Sequence, residues 1–246
     1  MSFRNSVTIV ASLRPRVGKT LLARLLTDFH VHEGRAVAGF DLNAGEGTLA
    51  QFVPDHATIA DIGDIQGQMA LFDRLIAEDD VSKIVDLGHE QFEAFFALAK
   101  QIGFAEEARR RGIAPAILYM ITPDRTAVEA YADLRRSLPQ AMLTPVHNEL
   151  LGATQFRDKY PAAGHGATQV RFAALAPALR RYIEQPPFSF SDSALANARN
   201  IPLEAHIELQ RWIRKIYLEF RELDLRVLLA DLQASMGPGS KLQDSP

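Results

Sequence analysis

The chain has no cysteine in its 246 residues and only one tryptophan. The missing thiols exclude a disulfide scaffold, a thiolate metal site, a cysteine nucleophile and an iron–sulfur cluster. Long hydrophobic runs are missing too. Stretches such as Ala116–Ile121, between Pro115 and Thr122, fall far short of the roughly 20 apolar residues that span a bilayer, so no membrane helix is expected. Charge of one sign is not in excess. The 27 Lys+Arg against 30 Asp+Glu leave a net charge of −3, which argues against a uniformly basic nucleic-acid coat and leaves room only for a local patch. Met1 to Asn5 run directly into a short apolar segment, with no h-region and no small-residue cleavage site. The expectation is a cytoplasmic chain. Histidines offer no metal site: His30 and His32, two apart near a helix end, point in different directions, and no acidic partner recurs at ligand spacing.

At 47% hydrophobic and 23% charged residues the chain is ordinary globular material, long enough for one large α/β domain or a domain with an appendage. Apolar β-rich runs at Ser6–Ala11, Ala36–Asp41, Lys83–Leu87, Pro115–Thr122 and Ala141–His147 read as buried parallel strands. Helical stretches separate them: Leu21–His32, Ile65–Ala77, Glu90–Arg111 and Asp124–Leu138, the last with Thr122 or Asp124 as cap. Arg109, Arg110 and Arg111 close a helix before Gly112, where cations are favoured for helix-terminus reasons alone. This alternation predicts a doubly wound, mostly parallel α/β sheet.

Beyond Asn148 the pattern weakens. Residues 149–169 lack periodicity, Val170–Leu175 reads as a last strand before a short helix to about Ile183, and Pro186 and Pro187 punctuate the chain. The expected organisation is an α/β domain over residues 1–184, a C-terminal helical appendage over 185–236 and a disordered tail over 237–246. The appendage carries an apolar stripe of Leu203, Ile207, Ile213, Ile216, Tyr217, Phe220 and Leu223. Its five Lys/Arg and six Asp/Glu between Leu203 and Ser235 do not make a basic membrane-surface helix. Trp212 and Tyr217, flanked by Arg211, Arg214 and Lys215, are candidates for a partner surface; packing back on its own domain is the commoner fate of such a helix.

The chemistry begins at Val17-Gly18-Lys19-Thr20, because it lies where a strand ends and a helix begins. Backbone N–H groups and the helix dipole converge there on an anion, the Lys19 ammonium reaches outer phosphates, and the Thr20 hydroxyl can ligate magnesium. The common phosphate-loop pattern wants glycine five residues before Gly18, and Leu13 stands there. Asp86 ends a buried strand beside this loop and Asp41 ends another. Acids so placed suit magnesium, which keeps several waters and takes carboxylate partners near phosphates.

The segment Arg14-Pro15-Arg16-Val17-Gly18-Lys19-Thr20, continued by Leu21, resembles the deviant Walker-A loop of the ParA/MinD family of P-loop ATPases, Lys-Gly-Gly-x-Gly-Lys-Thr. The resemblance places Arg14 on the family's extra lysine, which reaches the partner subunit's nucleotide in an ATP-sandwich dimer, and Pro15 and Arg16 on its two glycines. Proline has no N–H to give, and Arg16 has to adopt the backbone angle that glycine allowed. Phe40-Asp41-Leu42-Asn43-Ala44-Gly45-Glu46-Gly47 resembles the family's Asp-x-Asp-Pro-Gln-Gly segment, with Asp41 on the first acid and Asn43 on the second. Lys83–Gly88 resembles Walker B, and Asn148 stands where the family places an asparagine that reads the base. His89 and Glu90 replace prolines; they are either contacts to the γ-phosphate region or a turn and helix start. The resemblance covers residues 6–148 and extends to about 184.

It implies an ATP-dependent switch: Lys19, Thr20, Asp41 and Asp86 bind ATP with Mg²⁺, two subunits close over it as a homodimer, and the dimer engages a protein partner. Asn43 departs from the family at the water-activating position. A neutral amide orients water but cannot take its proton, so hydrolysis is expected to be slow unless Asp41 or Glu46 takes over. Two other readings stand beside it: a binding module that holds nucleotide without turnover, and a metabolite kinase or ATP-dependent ligase whose acceptor fits the 149–169 loop. Neither DNA binding nor a membrane-targeting C-terminal helix has support in the sequence.

Overall fold

A computed structural model describes residues 6–43, 48–152, 158–164, 166–191 and 201–236. Glu46 and the tail from 237 onward, both singled out above, lie outside the described residues. Strands β1 (Ser6–Ala11), β2 (Val37–Leu42), β3 (Ala57–Ile59), β4 (Ser82–Leu87), β5 (Ala114–Met120), β6 (Met142–Asn148) and β7 (Val170–Phe172) form one sheet in the order β3-β2-β4-β1-β5-β6-β7. All the pairings are parallel. Helices cover both faces: α1 (Lys19–His32), α2 (Leu49–Phe52), α3 (Ile65–Leu75), α4 (Phe92–Gln101), α5 (Phe104–Arg110), α6 (Arg125–Ser137), α7 (Pro177–Ile183) and α8 (Leu203–Met236). The fold is therefore the expected doubly wound parallel α/β sheet with a C-terminal helix.

Burial on both faces explains why the strands read as continuous apolar runs. In β5, Ala116, Leu118 and Met120 join the core under α1, while Ile117 and Tyr119 join the core on the opposite face with Phe95, Phe96 and Tyr131. The single helix expected over Glu90–Arg111 is broken at Gly103, which takes φ 65° and lets the chain restart as α5. Asp124 is the cap of α6, accepting from the Ala127 N–H at 2.9 Å. The three-residue edge strand β3 was not expected; it is too short to carry an alternation.

The C-terminal helix packs back on its own sheet, the commoner of the two fates open to it. Leu209, Trp212, Ile213, Ile216, Tyr217, Phe220 and Leu223 of α8 share one core with α1, β6 and β7, while Leu203 and Ile207 are exposed. Trp212 and Tyr217 are buried, so they offer no partner surface. Phe29 of α1 meets the rings of Tyr217 and Phe220 at 5.2 and 5.4 Å, and ion pairs Arg35–Asp224 (3.0 Å) and Arg221–Glu33 (2.7 Å) clamp the edges.

His30 lies under this clamp. Burial first, and the Arg35 charge second, push its pKa from 6.5 to about 4, with Glu33 pulling the other way. Arg35 and Glu33 are themselves held by Asp224 and Arg221 of α8. Because the folded pKa is depressed, the unfolded chain takes up the proton first as pH falls. This contribution to stability is intact above pH 6.5 and is lost progressively towards pH 4. The loss is about 3 kcal/mol at pH 4, and His30→Leu should flatten the pH dependence by that amount in urea unfolding at pH 4 and 7. An unchanged slope would assign the acid sensitivity elsewhere.

Candidate functional site

The loop between β1 and α1 is shaped by short-range contacts. The Ser12 hydroxyl donates to the Met120 carbonyl (3.1 Å) and accepts from the Arg14 N–H (3.2 Å). Arg16 takes φ 58°, in the left-handed region that a side chain disfavours, at a cost of about 1 kcal/mol. Gly18 caps α1 at φ 97°, and a Cβ there would stand 3.1 Å from Asn148 Nδ2 and 3.4 Å from Phe172 Cε1. Only glycine fits so tight a left-handed corner. Val17 is buried beneath it, and its carbonyl accepts from Asn148 Nδ2 at 3.0 Å.

Three strand ends meet at this corner. The Thr20 hydroxyl donates to Asp86 Oδ2 at 2.7 Å, across 66 residues of sequence. Asp86 stands opposite Asp41 in the β2–β4 register, and both are fully buried. Burial first, with the neighbouring Asp41 charge adding to it, raises the Asp86 carboxyl to about 7 against the Thr20 hydrogen bond, which lowers it. Lys19 is lowered by burial, with Asp86 opposing. The Lys19 ammonium donates to the Arg14 carbonyl at 3.0 Å. Asp86 Oδ1 is buried without a hydrogen-bond partner. A hydroxyl, a carboxylate and an orphaned carboxylate oxygen are hard donors that suit a magnesium ion and its waters.

The remaining sequence candidates are near, but engaged. Asp41 Oδ1 accepts from the Asn43 N–H (3.1 Å) and Nδ2 (3.0 Å), and Oδ2 accepts from the Ala50 N–H (2.8 Å). Asn43 Nδ2 also donates to the Asp86 carbonyl at 3.1 Å, so the amide ties β2 to β4. Asn148 Oδ1 accepts from the Leu150 N–H at 3.0 Å; with its Nδ2 on Val17, both ends of this amide brace the chain. Arg14 pairs with Asp124 at 2.7 Å, which holds the Asp124 carboxyl down at about 2. His89 is exposed and lines the cavity beside the loop; Glu90 is exposed in the turn before α4.

That cavity, about 740 Å³, runs from Pro15, Arg16, Lys19 and Thr20 past Asn43 and Asn148 to Phe172, Leu175, Arg180, Glu184 and Trp212. The far wall was not foreseen. Its residues come from β7, α7 and α8, and no motif links them; the one signal was the lone tryptophan. Arg24 of α1 also lines the cavity, with its guanidinium 3.6 Å from the Phe52 ring centroid and Nη2 donating to the Ile183 carbonyl at 2.9 Å.

No family model and no curated protein sequence matches the chain. Among solved structures it is similar to a chain of the MinC:MinD cell division protein complex of Aquifex aeolicus, at 14% identity and TM-score 0.48 over 84% of this chain and 94% of that one. It is also similar to the signal recognition particle 54 kDa protein of Aeropyrum pernix K1, solved in complex with GDP, at 14% identity and TM-score 0.46 over 87% of this chain and 49% of that one. The MinD cell division protein of Aquifex aeolicus matches at 14% identity and TM-score 0.44, over 88% of this chain and 96% of that one. Among the described residues no helix is long and apolar enough to cross a membrane.

Proposed function

We propose that the chain is a ParA/MinD-like P-loop protein that binds ATP with Mg²⁺ and acts as a dimerising, slowly hydrolysing nucleotide switch. The observation that carries this reading is the Thr20–Asp86 hydrogen bond at a glycine-capped helix start, with Lys19 beside it. Loop N–H groups from Val17 to Leu21 and the α1 dipole receive the phosphates, and Lys19 neutralises their charge. Thr20 and Asp86 would hold a magnesium ion, which would supply charge stabilisation at the phosphates. Asp41 acts by fixing Asn43 and the start of α2. Arg14 would have to leave Asp124 to serve a partner subunit.

Slow turnover follows from the same geometry. Asp41 has protein donors on both oxygens and Asn43 cannot take a proton, so neither is a ready base for water. Phosphate release on the order of 10⁻³ per second is expected, as for switch proteins without an activating partner. These engaged side chains also favour a second reading, a binding module that never hydrolyses; undetectable phosphate release with tight ATP binding would select it.

Calorimetry of MgATP binding to the parent and to Lys19→Ala tests the main reading. The variant should bind about 30-fold more weakly or worse, since a charge-assisted contact to phosphate is lost. Equal binding by the two proteins would remove the loop from the site.

A further inference from the structure

We propose that Trp212, carried on α8, is a specificity-determining residue of the nucleotide cavity: it walls the end that takes the base of a nucleoside triphosphate. This inference rests on reading the Val17–Leu21 loop as the phosphate site. The chemistry of the cavity changes along its length. One end presents Lys19 and Thr20; the other presents Phe172, Leu175, Ile183 and Trp212, beside the half-buried Arg180 and the exposed Glu184. A ligand that matches both ends has a polyanionic head and a flat, weakly polar body, which is the build of a nucleotide.

The far wall is held in place before any ligand arrives. The Trp212 indole Nε1–H donates to the Ala173 carbonyl at 2.9 Å, and its ring lies 6.3 Å from Phe172 and 6.1 Å from Phe190, centroid to centroid. At 6% exposure the indole has no room to swing. Phe172 in turn abuts the loop at Gly18, so the aromatic wall is continuous with the phosphate end. Asn148, the residue that the family resemblance assigns to the base, has its amide nitrogen on Val17 and its oxygen on Leu150. The flat apolar contact with the base comes from the wall that α8 completes, and α8 lies outside the stretch that carries the resemblance. A rigid, pre-placed wall gives affinity without an ordering cost.

Trp212 is the chain's single tryptophan, so the intact protein reports on its own wall. MgATP and magnesium tripolyphosphate are compared by calorimetry and by tryptophan emission in the parent, Lys19→Ala, Trp212→Ala and Trp212→Phe. In the parent ATP should shift the emission, whereas tripolyphosphate, filling only the phosphate end, should bind without shifting it. Trp212→Ala should weaken ATP about tenfold and leave tripolyphosphate unchanged, and Trp212→Phe should recover most of the loss. If the alanine variant does not fold, the parent's emission and the phenylalanine variant decide the matter. Unshifted emission with ATP bound, or equal weakening of both ligands, overturns the assignment while leaving the phosphate loop intact. A parent that binds neither ligand overturns the loop reading, and this inference with it.

Discussion

Asp28→Ala is expected to lower stability by about 5 kcal/mol, because one buried carboxylate anchors residues 189–191, which follow α7. Asp28 is 1% exposed on α1. Its Oδ2 accepts from the Phe190 N–H at 2.9 Å; its Oδ1 accepts from the hydroxyls of Ser189 and, at 2.8 Å, Ser191. Truncation strands the Phe190 N–H and loosens Phe188 and Phe190, which pack in the core beside Arg24 and Trp212. Asp28→Asn keeps an acceptor oxygen and should cost about half as much. Urea unfolding of the parent and both variants measures this; a loss below about 1 kcal/mol for the alanine variant would show that this segment is held by Phe188 and Phe190 alone.

Asn43→Asp is expected to destabilise the protein by about 4 kcal/mol at pH 8 instead of restoring an efficient ATPase. The resemblance makes aspartate the natural residue here, but the geometry opposes it. Asn43 Nδ2 donates at 3.0 Å to Asp41 Oδ1 and at 3.1 Å to the Asp86 carbonyl. A carboxylate in its place faces one carboxylate and one carbonyl oxygen with no proton to offer. Like charges about 3 Å apart repel by roughly 5 kcal/mol even at an effective dielectric near 20. As pH falls the pair can share a proton, so the penalty should shrink between pH 8 and pH 5. Unfolding at both pH values, with phosphate release measured alongside, checks this. A variant as stable as the parent that hydrolyses faster would place Asn43 in the role of the family's second acid.

The Asp28 contacts join residues far apart in sequence, whereas the Asn43–Asp41 pair is local and only the tie to Asp86 is not, and that distance divides what was legible from what was not. Ser6–Ala11 was readable as a strand because a parallel strand buried on both faces is apolar throughout. The corner at Gly18 was readable because a strand–loop–helix junction is local: Val17, Gly18, Lys19 and Thr20 are consecutive between an apolar strand and an apolar helix. Asp86 was legible from its place at the end of an apolar strand. By contrast, Gly103 lies inside an apolar periodicity that continues on both sides, so its break into two helices left no trace in the pattern. The β3 strand is too short to carry a period at all.

The sequence by itself determined the parallel sheet, the strand–loop–helix corner and the presence of an amphipathic C-terminal helix. These follow from periodicity and from residues adjacent along the chain. Only the tertiary structure decided what the polar groups of the site do: that Asn43 and Asn148 spend their amides on bracing, that Arg14 is paired with Asp124, and that α8 turns Trp212 inward to wall the cavity. The reason is that a hydrogen bond or an aromatic contact belongs to two partners, and here they stand more than a hundred residues apart for Asn148 with Val17 and for Arg14 with Asp124.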